Sequence, residues 1–199
     1  MSAEDLADRT IVCHLGSGAS ITALKNGESV ETSMGYSPVE GTPMSSRSGD
    51  VGVGAVLEIL KEMPREELIE QIYKNSGLLA LSGYSSDMEV LVNDYEKNRD
   101  AAFAVDTFVY QVACQIGSQA TALGGIDLLV FSGGIGENSK EIRSWIVKRL
   151  AFLGIQIDED LNLSVANLSR ISGEESSAKV LVVSPEEEKE IISILKASV

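Results

Sequence analysis

Hydrophobic positions alternate with polar ones in the first part of the chain, as in short strands. The runs that show this pattern are residues 10–15, 21–25 and 29–32. Asn26-Gly27 separates the last two runs, and this pair favours a type I′ turn because both residues accept positive φ. The pattern therefore predicts a three-stranded antiparallel meander whose first turn is Gly16-Ser17-Gly18.

The period then changes to that of helices. Residues 33–50 are rich in Ser, Gly, Pro and Met and predict a long loop, a kind of loop that is usually functional in a compact domain. Apolar residues recur afterwards at helical spacing in residues 53–62, 66–75, 87–95 and 99–123. Along the last of these segments, one predicted stripe contains Val105, Val109, Val112, Ile116 and Leu123.

A second β signal follows the helices. Residues 126–131 and 179–183 are apolar runs typical of central strands, and an amphipathic helix carrying Ile142 and Ile146 is predicted between them. Asn138 with Glu141 suggests a capping box for that helix. This order predicts an α/β fold with an antiparallel hairpin meander, parallel strands and flanking helices. It matches one ribonuclease-H-like lobe of the actin-type ATPase superfold.

Composition and charge exclude several classes of protein. The 199 residues are 44% hydrophobic, which is enough for a buried core, and the net charge of −14 disfavours a nucleic-acid partner. Cys13 and Cys114 lie in apolar runs and predict neither a disulfide framework nor a zinc site. The polar N-terminus and the absence of any 18-residue apolar stretch predict a cytoplasmic protein with no membrane contact.

Two glycine-rich segments are candidates for binding an anion through the backbone. Residues 14–20 place a tight glycine turn between two strands, where successive amides can form a nest, although an ordinary hairpin turn also fits. Residues 132–139 place three glycines between a buried strand and a helix, where ligands of α/β sheets bind. A glycine-rich connection without a ligand is the alternative for this segment.

The long loop carries a single arginine. Arg47 is the only cation between Lys25 and Lys61, and it stands among small residues. A guanidinium in such a setting suits bidentate contact with a phosphate. The alternative is a surface arginine paired with Asp50.

These segments, together with residues 32–41 and 76–83, resemble acetate kinase, and the resemblance is close to continuous over residues 9–194. It implies a phosphotransferase that uses ATP/ADP and Mg²⁺ to convert acetate to acetyl phosphate, or runs in reverse. Propionate or butyrate kinase is an alternative within the class. Because the family has two lobes, we expect residues 1–199 to be a single C-terminal lobe, with the N-terminal lobe absent and this chain alone inactive.

The resemblance also implies roles for individual residues. Gly16, Ser17 and Gly18 would line a phosphate loop, His14 would contact phosphate oxygens, and Arg47 would stabilise the transferring phosphoryl group. The implied adenosine cradle consists of Gly133, Gly134, Ile135, Gly136, Glu137 and Asn138. His14 has a plainer alternative as a hydrogen-bonded imidazole at a strand end.

Glu187 matches the family's magnesium-associated glutamate. The alternative is a capping role, because Ser184 followed by Glu187 is itself a capping box. Ser184 and Pro185 also predict the start of a terminal helix that runs to about residue 197.

The resemblance further implies partners and includes departures. We expect a homodimer, because family members dimerise through this lobe, and possibly a separate first-lobe polypeptide. A non-catalytic nucleotide-binding or dimerisation module is the alternative from another class. The sequence departs from the family at Ser17, Gly52-Val53, Ala80 and Gln111, where Asn, Asp-Pro, Gly and Arg are commoner.

Overall fold

A computed structural model describes residues 7–166 and 168–185 and shows an α/β fold built on a six-stranded sheet. The strands are β1 (Arg9–Leu15), β2 (Ala19–Lys25), β3 (Glu28–Thr32), β4 (Leu128–Ser132), β5 (Leu168–Arg170) and β6 (Lys179–Val183). Their order across the sheet is β3-β2-β1-β4-β6-β5. β1, β4 and β6 are parallel, and the other pairings are antiparallel. The predicted meander and both predicted buried strands are thus confirmed.

Helices connect the two halves of this sheet and flank it. They are α1 (Val53–Ile59), α2 (Arg65–Lys74), α3 (Gly77–Ser82), α4 (Met88–Asp94), α5 (Arg99–Leu123), α6 (Gly133–Asn138), α7 (Lys140–Arg149) and α8 (Glu159–Leu163), with a 3₁₀ turn at Ala151–Leu153. None of the helices in the described part of the chain is long and apolar enough to cross a membrane.

The long helix α5 forms the centre of the core. Its predicted apolar stripe is buried, and the helix packs against β1, β2, α3, α4 and α7. Asn98 begins the helix because its side-chain oxygen accepts a hydrogen bond from the backbone N–H of Asp100 at 2.9 Å. Gly124, in the left-handed conformation, ends it. The bounds predicted for this helix, residues 99–123, are confirmed.

The segment after β4 differs from the prediction. Residues 133–138 form the short helix α6 rather than a loop, and α6 starts directly at the end of the strand. Asn138 therefore does not cap the next helix, since its side-chain Nδ2 donates to the carbonyl of Gly134 at 2.8 Å. Ser139 caps α7 instead, accepting from the backbone N–H of Ile142.

Other helix bounds were predicted less well. The helix predicted over residues 53–62 ends at Ile59, and the short helices α3 and α8 were not predicted because two turns or fewer show no clear period. The predicted terminal helix and Glu187 lie outside the described residues.

Candidate functional site

The parallel register of β1 and β4 brings the two glycine-rich segments together. In this register His14 lies opposite Ser132, and both strands end at the same edge of the sheet. A Cβ placed on Gly16 would stand 3.8 Å from Nε2 of His14 and 3.9 Å from the backbone nitrogen of Gly134. Two segments that are more than 100 residues apart in sequence therefore form one surface.

Gly133 locks α6 against the end of β1. Its φ is +77°, a conformation that favours glycine. A Cβ at this position would lie 2.6 Å from the carbonyl oxygen and 2.8 Å from the carbonyl carbon of Leu15. This close approach of two backbones sets where α6 begins.

The glycine turn after β1 also contacts the long loop. The backbone N–H of Gly16 donates to the carbonyl of Gly18 at 2.9 Å, which closes the turn. The backbone N–H of Ser45 donates to the carbonyl of Ser17 at 3.3 Å. The turn and the loop that carries Arg47 are thus joined by the main chain.

Arg47 lies at a tight turn that docks on the start of α3. The N–H of Met44 donates to the carbonyl of Arg47 at 3.0 Å, and the N–H of Leu78 donates to the carbonyl of Met44 at 2.8 Å. The guanidinium Nη1 donates to the carbonyl of Pro38 at 3.2 Å. The same nitrogen stands 3.6 Å from the position a Cβ of Gly18 would take. Arg47 is therefore beside the glycine turn.

Asp50 is not the partner of Arg47. Its carboxylate accepts from the backbone N–H of Gly41 at 2.9 Å, and its own N–H donates to the carbonyl of Gly41 at 2.9 Å. Among the described residues Arg47 forms no ion pair. The alternative of a surface arginine paired with Asp50 is wrong, because the Asp50 carboxylate serves to close the loop on itself.

A cleft of about 810 Å³ opens beside this surface. It lies between the first turn of α4 and the segment from α6 to α7. The residues that line it are Gly16, Ser17, Ser45, Ser86, Asp87, Met88, Glu89, Val92, Asn93, Gly134, Ile135, Asn138, Ser139 and Glu141. Three of the predicted cradle residues, Gly134, Ile135 and Asn138, face the cleft, whereas Gly133 and Gly136 are buried behind it.

The charged residues that line the cleft are acidic. They are Asp87, Glu89 and Glu141, and the described lining contains no Lys, Arg or His. Arg47 does not line the cleft but stands beside the glycine turn, whose Gly16 and Ser17 do. This separation of charge suits a ligand whose anionic part lies at the turn and whose uncharged part lies between α4 and α6. The α4 wall was missed in the sequence, because nothing in a short amphipathic helix indicates what it faces.

An aromatic pair joins the two walls of the cleft. Tyr95 at the end of α4 and Trp145 in α7 have ring centroids 4.6 Å apart and planes inclined at 31°. Such tilted pairs stabilise packing beyond the area they bury. The wall carried by α4 is thereby held against the wall carried by α7.

Glu137, which was predicted to cradle adenosine, forms a hydrogen bond with a residue outside the cleft. Its carboxylate Oε1 accepts a hydrogen bond from the hydroxyl of Ser184 at 2.6 Å. Ser184 directly follows β6, so this contact ties α6 to the third parallel strand.

A protein ligand for magnesium was also predicted. Across residues 7–166 and 168–185, no group of three or more His, Cys, Asp or Glu side chains could hold an ion. Glu187, the predicted magnesium ligand, lies outside these residues.

Two of the positions at which the sequence departs from the family, Ala80 and Gln111, line a second, smaller pocket. This pocket of about 350 Å³ lies behind the Arg47 loop and is lined in part by Ala80, Gln111, Asp50 and Thr107. Gly52 lies at the exposed start of α1, next in the chain to the loop. Three of the four departures are therefore near the Arg47 loop, two in space and one in sequence. The fourth, Ser17, lies in the glycine turn.

The sheet and its two glycine segments are those of a ribonuclease-H-like lobe of the actin-type ATPase superfold. The chain matches the acetokinase family over residues 2–193. It is 44% identical over 190 residues to the acetate kinase of Rickettsia felis, covering 94% of this chain and 48% of that protein. The chain belongs to the acetokinase family.

Solved structures agree with this assignment. The acetate kinase of Porphyromonas gingivalis superposes with a TM-score of 0.87 at 38% identity, covering 94% of this chain and 48% of that one. A propionate kinase from Francisella tularensis superposes with a TM-score of 0.86 at 34% identity, covering 92% of this chain and 47% of the other. The chain spans about half the length of the curated relatives it matches.

Proposed function

We propose that this chain is the nucleotide-binding lobe of an acetate-kinase-type phosphotransferase, which converts ATP and acetate to ADP and acetyl phosphate or runs in reverse. One observation carries the proposal. The β1–β4 register places two glycine segments side by side, with the Arg47 guanidinium next to Gly18. Membership of the acetokinase family supports the activity, and residues 1–199 would form a single C-terminal lobe.

The chemistry requires positioning and charge stabilisation. A carboxylate oxygen of acetate forms a bond to the γ-phosphorus as the bond from that phosphorus to the β–γ bridging oxygen breaks. Enzymes catalyse this transfer mainly by holding the reactants in line and by stabilising the charge on the phosphoryl oxygens. We assign the holding of phosphates to the turn of Gly16, Ser17 and Gly18, and the stabilisation of charge to Arg47. His14, beside Gly16, would contact a phosphate oxygen.

The nucleoside would occupy the cleft between α4 and α6. Gly134 adds no side chain to the α6 side of the cleft. Ile135 on that side, with Met88 and Val92 on the α4 side, gives the cleft an apolar surface. The three carboxylates of the cleft can accept hydrogen bonds from ribose hydroxyls and exocyclic amines, but they would repel phosphates. The phosphates are thus directed to the glycine turn and to Arg47 beside it.

Magnesium would enter with the nucleotide. Mg²⁺ usually keeps several waters and is held by substrate phosphates with one or two carboxylates, rather than by a cage of protein ligands. The described residues contain no cluster of three or more side chains that could hold a metal ion, which is compatible with that mode of binding. Bound Mg²⁺ would neutralise phosphate charge, and Glu187 remains the proposed protein ligand.

The acyl substrate is assigned from the relatives. Curated relatives at 44–46% identity are acetate kinases, which favours acetate over propionate or butyrate. The solved propionate kinase superposes almost as well as the acetate kinase of Porphyromonas gingivalis, so the fold of this lobe does not discriminate between the two acids.

A homodimer is the proposed assembly, and α1 supports it. Val53 and Leu57 are 74% and 62% exposed, and α1 buries none of its residues within the described part of the chain. An apolar helix face of this kind is typical of a protein–protein contact. The same face is the observation that favours the second candidate, a non-catalytic dimerisation module that binds a nucleotide.

Trapping of acetyl phosphate with hydroxylamine distinguishes the two candidates. We expect no turnover from this chain alone, because one wall of the cleft cannot hold both reactants, and activity when a first-lobe polypeptide from a relative is added. In the reconstituted pair, Arg47→Ala should lower the rate by about 10²–10³. Arg65→Ala is the matched control, since the Arg65 side chain is 77% exposed in α2 and should leave the rate unchanged.

Three results would contradict the proposal or a part of it. Robust turnover by the chain alone would exclude a requirement for a second lobe. A reconstituted pair without activity would favour the non-catalytic module, and an active pair unaffected by Arg47→Ala would remove that residue from its role.

A further inference from the structure

Arg143 is a buried cation that the proposed mechanism does not use. It is 1% exposed and is the largest of the fully buried side chains. No carboxylate within the described residues is in hydrogen-bond or ion-pair contact with its guanidinium. Burial lowers the pKa of Arg143, as expected for a cation removed from water. Such a costly arrangement requires strong compensating contacts.

The first compensating contacts are to α6. Nη1 of Arg143 donates to the carbonyl of Gly136 at 2.9 Å and to the carbonyl of Glu137 at 2.7 Å. The last carbonyls of a helix have no partner within it, and a guanidinium at that end also complements the helix dipole. Arg143, which belongs to α7, thus donates hydrogen bonds to carbonyls at the C-terminal end of α6.

The second set of contacts is to Asn162 in α8. Nε of Arg143 donates to Oδ1 of Asn162 at 2.7 Å, and Nη2 donates to its backbone carbonyl at 2.9 Å. Asn162 is itself 2% exposed, and its Nδ2 donates to the carbonyl of Lys140 at 3.0 Å. The guanidinium therefore connects the C-terminal end of α6 to Asn162 in α8.

We infer that Arg143 is a positioning residue for the nucleotide site, holding α6 from behind so that Gly134 and Ile135 form the wall of the cleft. This inference rests on the proposed function of that cleft. A helix of six residues is unstable alone, so its position depends on what clamps its ends. Gly133 clamps one end against Leu15, and Arg143 clamps the other.

The role requires the shape of arginine. The planar guanidinium presents donors in several fixed directions, whereas the ammonium of lysine is a point charge that cannot bridge both sides in the same geometry. Arg143→Lys keeps the charge and loses the bridge. Arg149→Lys is the matched control, because it is the same substitution in the same helix at an exposed arginine, whose guanidinium lies over the Tyr110 ring.

Amide hydrogen exchange tests the inference without any nucleotide. In Arg143→Lys, peptides that cover residues 133–139 should exchange about tenfold or more faster, the effect of losing one charge-assisted hydrogen bond. Peptides that cover β1 and β2 should keep their protection, and Arg149→Lys should leave the exchange of residues 133–139 unchanged. Unchanged exchange of residues 133–139 in Arg143→Lys would overturn the inference.

Nucleotide binding gives the second readout. Arg143→Lys should weaken ADP about tenfold while leaving inorganic pyrophosphate, which needs only the glycine turn and Arg47, bound as in the wild type. Equal losses for both ligands would indicate general destabilisation and overturn the positioning role. A wild-type chain that binds no ADP would remove the proposed function instead, and the exchange result would still decide the role of Arg143 in placing α6.

Asn162→Ala covers the case in which Arg143→Lys does not fold. It removes the Oδ1 acceptor but leaves the contacts of the guanidinium to α6. We expect the same selective acceleration over residues 133–139, of smaller size, and no acceleration would overturn the bridge. Where both variants fold, the exchange of residues 133–139 in the double variant should match that in Arg143→Lys alone, because Asn162 is connected to α6 through the Arg143 guanidinium.

Discussion

Replacing Gly133 by alanine should destabilise the fold at the point where β1 meets α6. A non-glycine residue at a φ of +77° costs about 1–2 kcal/mol. The added Cβ would also lie 2.6 Å from the Leu15 carbonyl oxygen, and both partners are backbone that side-chain rotation cannot relieve. Displacing packed backbone adds about 1–3 kcal/mol, so a loss of about 3 kcal/mol is expected.

Thermal unfolding followed by circular dichroism measures this loss. For a chain of this length, about 3 kcal/mol corresponds to a midpoint lowered by about 6–12 °C. Gly134→Ala is the control, because a Cβ there meets no heavy atom within 4 Å and the φ is not positive. Its midpoint should be unchanged or slightly raised, since alanine favours a helix. Equal midpoints for the two variants would refute the account of how α6 is placed.

Three further predictions concern thiols, pH and assembly. Burial raises the pKa of the Cys13 thiol, so Ellman's reagent should find only exposed Cys114 in the folded chain and both thiols after unfolding. Two fast-reacting thiols in the folded chain would contradict this. The Arg9 guanidinium lowers the pKa of Asp127, so Asp127→Asn should reduce stability at pH 7, and the difference should vanish as acid protonates the wild-type carboxylate below its usual pKa of about 3.9. A pH-independent difference would refute that cause. Light scattering should report a dimer that Leu57→Lys dissociates, and a wild-type monomer at all concentrations would exclude it.

The elements predicted correctly are those with strong local signals. The β2–β3 turn followed from Asn26-Gly27, and Asn26 indeed has a positive φ of 52°. The extent of α5 followed from a long apolar stripe, and Gly124 directly after it ends the helix in the left-handed conformation. In each case the residues that determine the structure are neighbours in sequence, so the pattern contained the information.

Features that depend on distant contacts were not predictable in the same way. That residues 133–138 form a helix depends on the approach of Gly133 to Leu15, which only the β1–β4 register creates. The burial of Arg143 depends on Asn162 and on carbonyls of another helix, whereas an arginine in an amphipathic helix ordinarily indicates an exposed face. The α4 wall of the cleft has no local signal either.

Calorimetric titration of this chain with ADP tests most directly whether the two glycine segments form one nucleotide site. We predict weak, saturable binding, because the Gly16 turn and α6 are both within residues 1–199, which span about half the length of the curated relatives. Gly134→Val, which places a branched side chain in the cleft at a position where a Cβ meets no heavy atom within 4 Å, should abolish the heat. No heat from the wild type up to millimolar ADP, or equal heat from Gly134→Val, would contradict the account.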